Sequence, residues 1–543
     1  MTTTPASAAP TLVRHFRQIL LWPLQLVTEG AGGQHGHARP WDQLGDDGPW
    51  QPVNGHEAFA ERHYNEFVAF LPYVQRFLYG DAGAPGGSES PMRVFRRHDI
   101  TQARVVPHAG SAPVTLKVEH VDLTFFYDVE LVLLSMELSA DELPLAVAQE
   151  LLYRCGRAYP SAWDAQGHSV HCLYSAEWLN AQGDVLARSD AQSRELFVQH
   201  VAQHHSPRIA SHWAWLLKPL VSDNSAAHGP LRYRLIEYYR MPVMAYLALD
   251  EPQKLSRSDL IRLGLVTAAA PDAQGAVLPF AEAHLDNFET RFCYDRFWCP
   301  EGQAPYTRYL CNGHSLVVVG TAQAAFFACG ERGVLAQFRH QHFKLFLIAH
   351  FQKAALMMYS DRLVQALRAM DVTNAASVRR FKRSIRRSFE AFLRFTHRYW
   401  FHEISEQAQV RALFQLCASH LGLDPLYAEV KERIADMSTY LDADSIRRQA
   451  NTVVRLTVVT IMGLVGTLTT GFLGMNLLSE ADAPMSERVA VFTVVTLACI
   501  ALVVYTMVKS KRLSDFLDAL SDERLSWWAK CRAFLGIWVK GAE

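Results

Sequence analysis

The sequence predicts a mixed α+β or α/β region, followed by long helices and two C-terminal transmembrane helices. Strand-like and helical patterns alternate up to about residue 325, which is typical of a mixed α/β domain. From Gly333 onward the pattern is strongly helical and nearly free of Gly and Pro. Two segments near the C-terminus, Leu456–Leu473 and Val489–Val508, contain no Asp, Glu, Lys, Arg or His. Each is about long enough to cross a hydrocarbon core of roughly 30 Å as a helix.

Length and composition limit the class of protein. A chain of 543 residues is too long for one hydrophobic core. Its net charge of -1 gives no overall attraction to nucleic acid. The nine cysteines are scattered without a tight repeated spacing, and no secretory leader is recognisable. We therefore expect reduced thiols rather than a disulfide framework.

In the first part of the chain, apolar alternation predicts strands and a 3.6-residue period predicts helices. The predicted strands are Val114–Leu123, Thr124–Glu137, His168–Leu179, Pro242–Leu249 and Tyr309–Val319. The predicted helices are Glu57–Tyr79, Ala140–Arg157, Ser193–His204, Ile209–Val221 and Ser256–Leu265. Leu12–Thr28 is apolar but broken by charges and a proline, and it predicts a surface or membrane-facing helix at most.

Four long helices are predicted after Gly333: Leu335–Met370, Ala375–Phe401, Glu406–Leu421 and Asp424–Leu473. Asp424 is a favourable N-cap and Pro425 suits the first helical position of the last one. The predicted domains are an α/β region at 1–330, helices and a stalk at 331–455, a transmembrane domain at 456–508 and a cytosolic amphipathic tail at 509–543.

Flanking charge predicts the orientation of the two spans. Arg447, Arg448 and Arg455 precede the first span, and Lys509, Lys511 and Arg512 follow the second. The connecting loop 477–488 is acidic. Because Lys and Arg concentrate on the cytoplasmic side, we expect a multi-pass protein of the cell inner membrane with both termini in the cytoplasm.

One face of the first span carries mostly small and hydroxylated side chains. Counting back from Gly474 in steps of seven residues gives Thr467, Thr460 and Val453. Between these positions, on the same face, lie Gly471, Leu464 and Thr457. Two spans cannot enclose a pore, so conduction requires several chains around an axis. We expect this face, together with Leu456, to line a path. Helix packing without any pore explains the same periodicity.

Gly474, Met475 and Asn476 stand at the exit of the first span. Mg²⁺ gives up its water shell reluctantly, so a site for it should offer neutral acceptors to those waters. A ring of Asn476 carboxamides from several chains meets this need, with Gly474 and Met475 shaping the turn. Nearby carboxylates attract cations, and the outer loop supplies Glu480, Asp482 and Glu487. A helix C-terminus capped by Asn is the plainer interpretation.

The segment Asn451–Lys511 resembles the CorA family of divalent-cation channels. Family members end the pore helix in aromatic-Gly-Met-Asn after a Thr-x-x-x-Gly stretch. Thr467 and Gly471 match that stretch, and Leu473, next to Phe472, stands at the aromatic position. The resemblance implies a homopentamer with an α/β cytosolic funnel, a stalk helix continuing into the pore, and an outer ring of second spans. It also implies gating by cytosolic divalent ions, for which the acidic residues of the stalk are candidates beside a purely solvated role. These residues are Asp436, Asp442 and Asp444.

The predicted function is Mg²⁺ transport by a homo-oligomer in lipid. The alternatives are a Zn²⁺, Co²⁺ or Ni²⁺ transporter of the same superfamily and a non-conducting membrane-anchored sensor. An enzyme is not expected, because no phosphate-binding glycine loop, nucleophile elbow or paired catalytic carboxylates occur. No cofactor beyond transported or regulatory Mg²⁺ and no nucleic-acid partner is expected.

Three further groups of residues suggest chemistry, and each has a plain structural alternative. Zinc ligands are one interpretation of Cys293, Cys299, Cys311 and His314, but their spacing fits no tight ribbon. His200 and His204, four apart on a predicted helix, place two imidazoles together without a metalloprotease glutamate between them. A basic block fits an anionic partner or a solvated helix face; it comprises Arg379, Arg380, Lys382, Arg383, Arg386 and Arg387.

Overall fold

The chain forms two compact units, Met1–Ile434 and Ala435–Glu543. The structure is a computed structural model. It describes residues 11–27, 40–44, 48–53, 61–80, 91–229, 231–237, 240–270, 278, 280–368, 370, 375–474, 484–495, 497–498, 501 and 505.

The first unit is built on a large mixed sheet of 14 strands. The strands of the described chain are β1 Leu12–Val27, β2 Trp50–Pro52, β3 Met92–Arg97, β4 Gln102–Val106, β5 Val114–Phe126, β6 Val129–Pro144, β7 Ala162–Trp163, β8 Ser169–Val170, β9 Ser175–Leu179, β10 Val185–Arg188, β11 Leu220–Ser222, β12 Leu231–Leu235, β13 Val243–Leu249, β14 Cys293–Phe297, β15 Thr307–Cys311 and β16 Ser315–Thr321. β7 and β8 form a separate pair.

The strand order along the main path is β10-β9-β4-β5-β6-β1-β13-β16-β15-β14. Most neighbours are antiparallel, whereas β13 runs parallel to β16 and β11 runs parallel to β12. β1 lies at the centre: it pairs with β6 over most of its length and with β13 on its other edge. Its residues are buried almost continuously from Ile19 to Leu26, as expected for a strand that is covered on both faces.

The helices complete the unit and lead out of it. They are α1 Glu61–Val68, α2 Pro72–Tyr79, α3 Leu145–Arg154, α4 Arg194–His204, α5 Ser211–Leu217, α6 Arg257–Leu265, α7 Glu282–Leu285, α8 Phe288–Phe292, α9 Ala325–Ala328, α10 Val334–Gln337, α11 Phe343–Arg368, α12 Ala375–Tyr399, α13 Ala408–Leu421 and α14 Leu423–Gly474. A π-helical segment, Phe338–His342, joins α10 to α11.

Aromatic side chains pack the two faces of the sheet. On one face, Trp213 of α5 meets Trp22 of β1 edge-on at 6.0 Å between ring centroids and Trp178 of β9 at 5.4 Å. On the other face, Phe351 of α11 stacks on Phe126 of β5 at 4.0 Å. Ring pairs of this kind add to the stabilisation from area burial, and they fix helices to both sides of the sheet.

Several predicted elements are confirmed and others are wrong. The strand predicted at Pro242–Leu249 is β13, and the helix predicted at Asp424–Leu473 is α14. Leu12–Thr28, predicted as a helix at most, is the central strand β1. The helix predicted at Ala140–Arg157 begins only at Leu145, because β6 continues to Pro144 against β1.

The predicted fold class is wrong. A funnel with long stalk helices and two C-terminal transmembrane helices is replaced by the large mixed sheet with helices described above. Among the described residues, no helix combines the length and the apolar character that a membrane crossing requires. The assignment of two spans, and the multi-pass inner-membrane localisation and transmembrane character that followed from it, are therefore corrected.

Both apolar segments lie partly outside the described residues. In the second, the described residues are 489–495, 497–498, 501 and 505. In the first, the side chains of Val465, Leu468, Phe472 and Leu473 lie outside those described.

Candidate functional site

The residues predicted to line an ion path lie on the C-terminal part of α14, in the second unit. The helix ends at Gly474, one residue beyond the predicted end. Met475 and Asn476 lie outside the described residues. So do Glu480 and Asp482 of the predicted outer loop.

The predicted path face is open in a single chain. Val453, Leu456 and Leu464 are 61%, 67% and 61% exposed. The hydroxylated and glycine positions of the predicted face are exposed as well; these are Thr457, Thr460, Thr467 and Gly471. The described face therefore presents apolar, hydroxylated and glycine positions to its surroundings.

The threonine hydroxyls of α14 donate inside the helix. Thr460 Oγ1 donates to the carbonyl oxygen of Leu456 at 2.9 Å. Thr467 Oγ1 donates to the carbonyl oxygen of Gly463, also at 2.9 Å. Thr457 makes the same bond to Val453. A hydroxyl has one proton and two lone pairs, so these oxygens present acceptors, and no proton, to whatever faces the helix.

Glycines leave room beside the helix. A Cβ built on Gly463, Gly466, Gly471 or Gly474 would meet nothing within 4 Å. Gly463, Thr467, Gly471 and Gly474 follow each other at spacings of four, four and three, and therefore share one face. Small residues at such spacing allow another helix to approach closely. This side of α14 therefore has open space beside its glycines.

The predicted acidic ligands are not gathered into a metal site. Asp436 on α14 and Glu487 are exposed. The side chains of Asp442 and Asp444 lie outside those described. In the described part of the chain, no group of three or more His, Cys, Asp or Glu residues is placed to hold a metal ion.

The first unit contains a buried ionic network that sequence reasoning missed. Glu137 of β6 has no exposed side-chain surface. It accepts hydrogen bonds from Arg17 of β1 at 2.8 Å and from Arg339 of the π-helical segment at 2.9 Å. His120 Nε2 lies 2.9 Å from Glu137, and His120 Nδ1 lies 3.2 Å from Asp122. The local signal in the sequence is that His120 and Glu137 are polar residues within apolar strands. This pattern alone does not identify the partner of either residue.

This network shifts the ionisation of its members. Burial opposes a charge on His120, but hydrogen bonds and charges of Asp122 and Glu137 outweigh it and raise its pKa to about 9. Burial likewise opposes ionisation of Glu137, yet His120 and Arg339 lower its pKa to about 2. Opposite charges thus compensate each other within the sheet.

The structure shows where the suggested zinc ligands lie. Cys311 and Cys417 of α13 are both buried, and the neighbouring Cys311 and burial raise the pKa of the Cys417 thiol. Cys299 is exposed, and its thiol donates to the carbonyl of Glu301. The four suggested zinc ligands are therefore not assembled within the described residues.

The basic block lies on α12. Five of its six cations are exposed, and Lys382 is partly buried.

Comparison with protein-family models, curated proteins and solved structures finds no match to this chain.

Proposed function

We propose that the chain conducts divalent cations and that Mg²⁺ is the main transported ion. The conducting form is a homo-oligomer in which α14 of each copy faces a shared path. The observation that carries this proposal is the exposed face of α14, which combines glycines with threonines whose protons are used internally. Five copies are expected from the resemblance of Asn451–Lys511 to the CorA family.

The chemistry suits a hydrated cation. The waters around Mg²⁺ donate hydrogen bonds outward, and dehydration is costly. A path lined by acceptor oxygens receives these donors without stripping the shell. Thr460 and Thr467 offer such oxygens at two levels, two turns apart. The carboxamide oxygen of Asn476 would offer the same group beyond the end of the helix.

The exposed apolar residues fit assembly. Leu456, Ile461 and Leu464 are each more than half exposed in one chain. Their burial against neighbouring copies would contribute roughly 1.5–3 kcal/mol for each side chain that is fully covered. The glycine positions would let neighbouring helices come close.

The test is divalent-cation flux into liposomes that carry the purified full chain, with Mg²⁺ and Zn²⁺ compared. We expect Mg²⁺ uptake in the wild type and its loss in Asn476→Ala. Asn65→Ala removes the same carboxamide from an exposed position of α1 and should leave the flux unchanged.

Other outcomes separate the alternatives. Flux of Zn²⁺ alone would assign the chain to the zinc-transporting branch. Assembled oligomers that pass neither ion would refute conduction and favour the non-conducting sensor. The number of copies is measured in parallel by native mass spectrometry.

A further inference from the structure

Two histidines of α4 lie side by side on the surface of the first unit. The rings of His200 and His204 are 4.5 Å apart between centroids, with an angle of 39° between their planes. Of the 11 residues of α4, only Phe197 is buried. His204 is exposed and His200 is half-buried. The pair is therefore formed in the folded chain and accessible from solvent.

The ring nitrogens of this pair are not used elsewhere. Within the part of the chain that the structure describes, neither imidazole takes part in a hydrogen bond or an ion pair with the protein. This differs from His314 and His350, which are buried in the interior. Arg208 is engaged with Asp190. The two imidazoles are thus free to act as ligands.

The donor atoms of this pair are imidazole nitrogens, and they determine which metal ions the pair prefers. Imidazole nitrogen suits Zn²⁺, Cu²⁺ and Ni²⁺, whereas Mg²⁺ and Ca²⁺ prefer oxygen. Two histidines four apart on a helix can reach one ion with bonds of about 2.0–2.1 Å. Since no third ligand is grouped with them among the described residues, water completes the coordination and the ion exchanges freely.

We propose that His200 and His204 chelate one late first-row divalent ion on the surface of α4. This site is separate from the proposed cation path, because it lies in the first unit and uses nitrogen rather than oxygen donors. It is an adsorption site for Ni²⁺, Cu²⁺ or Zn²⁺, and it does not bind Mg²⁺.

The test is isothermal titration of the full chain with Ni²⁺ near neutral pH. We expect His200→Ala and His204→Ala each to weaken one site roughly tenfold or more, because chelation depends on both rings. His205→Ala is the matched control: His205 is the next residue and exposed, and it stands outside the pair. All three variants change positions on or directly after α4, where only Phe197 is buried, and should fold.

Two results would overturn the proposal. One is unchanged Ni²⁺ binding in His200→Ala and His204→Ala, and the other is an equal loss in His205→Ala. Excess Mg²⁺ should leave the Ni²⁺ binding intact. Asn476→Ala should also bind Ni²⁺ like the wild type, so failure of the cation-path proposal would be distinguishable from failure of this one.

Discussion

His120 and Glu137 stand directly opposite each other on β5 and β6 and form an ion pair of 2.9 Å inside the sheet. Arg339 approaches Glu137 from the π-helical segment, at 2.9 Å from Nε. The carboxylate therefore links two strands to the start of α11. Taking these charges out of water is costly, and the cost is offset only while every partner is in place.

Glu137→Gln should destabilise the first unit strongly. The substitution keeps the shape of the side chain but removes the negative charge that faces His120, Arg17 and Arg339. Breaking a buried pair by removing one partner typically costs about 3–5 kcal/mol. Urea unfolding followed by tryptophan fluorescence measures the change.

Glu251→Gln is the control for that substitution. Glu251 pairs with Lys254, but half of its side chain is exposed, and surface pairs contribute about 0–1 kcal/mol. Equal stability losses in the two variants would contradict the assignment of Glu137 as the centre of a buried network.

Stability should decrease as the pH rises toward about 9. The pKa of His120 is about 9 in the folded chain and 6.5 in the reference state. A raised folded-state pKa gives a contribution that is fully present below about 6.5 and lost as the pH passes about 9. Urea midpoints at several pH values between these limits measure the loss.

His120→Gln should flatten this dependence, because the titrating group is gone. Asp122 and Glu137 affect stability at acid pH instead. Both have a pKa of about 2, so their contribution to stability is lost only as the pH falls through the acid range. A wild-type midpoint that stays constant from neutral pH to above 9 would exclude a charged His120 in the fold.

The central strand shows why part of the fold was not predictable from sequence. Arg14 and His15 suggested an exposed segment, yet each is paired across the sheet. Arg14 donates to Asp250 at 2.8 Å, 236 residues away, and His15 lies 2.8 Å from Asp141, 126 residues away. Such pairing compensates charge in a strand, and it depends on long-range register rather than on local pattern.

Helix α14 shows the opposite case. Its start and end were predicted within one residue, because the signals are local: Pro425 in the first turn and no later proline up to Gly474. The threonine bonds to the fourth preceding carbonyl are local as well. The His120–Glu137 contact instead needs a register shift between Val118 and His120, which no local pattern encodes.

Gly320→Ala should destabilise the sheet. A Cβ on Gly320 of β16 would lie 2.1 Å from Cε2 of Phe327. That ring is buried, stacks on Tyr246 at 4.7 Å and has little room to move. Overpacking of this kind costs about 1–3 kcal/mol. Gly330→Ala, where a Cβ would meet nothing within 4 Å, is the control in thermal unfolding and should keep the wild-type midpoint.

Thr467→Val should reduce Mg²⁺ flux while leaving assembly intact. Valine has nearly the same shape as threonine, so packing of neighbouring α14 helices is preserved, but the acceptor oxygen disappears. If a hydrated cation passes this face, the loss of one acceptor per chain removes a full ring of contacts, and each contact is worth about 0.5–1.5 kcal/mol.

Thr493→Val is the matched comparison for Thr467→Val. Thr493 also donates to the fourth preceding carbonyl, that of Val489, at 2.6 Å, and it stands outside the α14 face. Its flux should equal that of the wild type in the same liposomes. Because both substitutions delete one hydroxyl from a helix, a drop confined to Thr467→Val would locate the path on α14. Equal flux in both variants would argue that cations do not use this face.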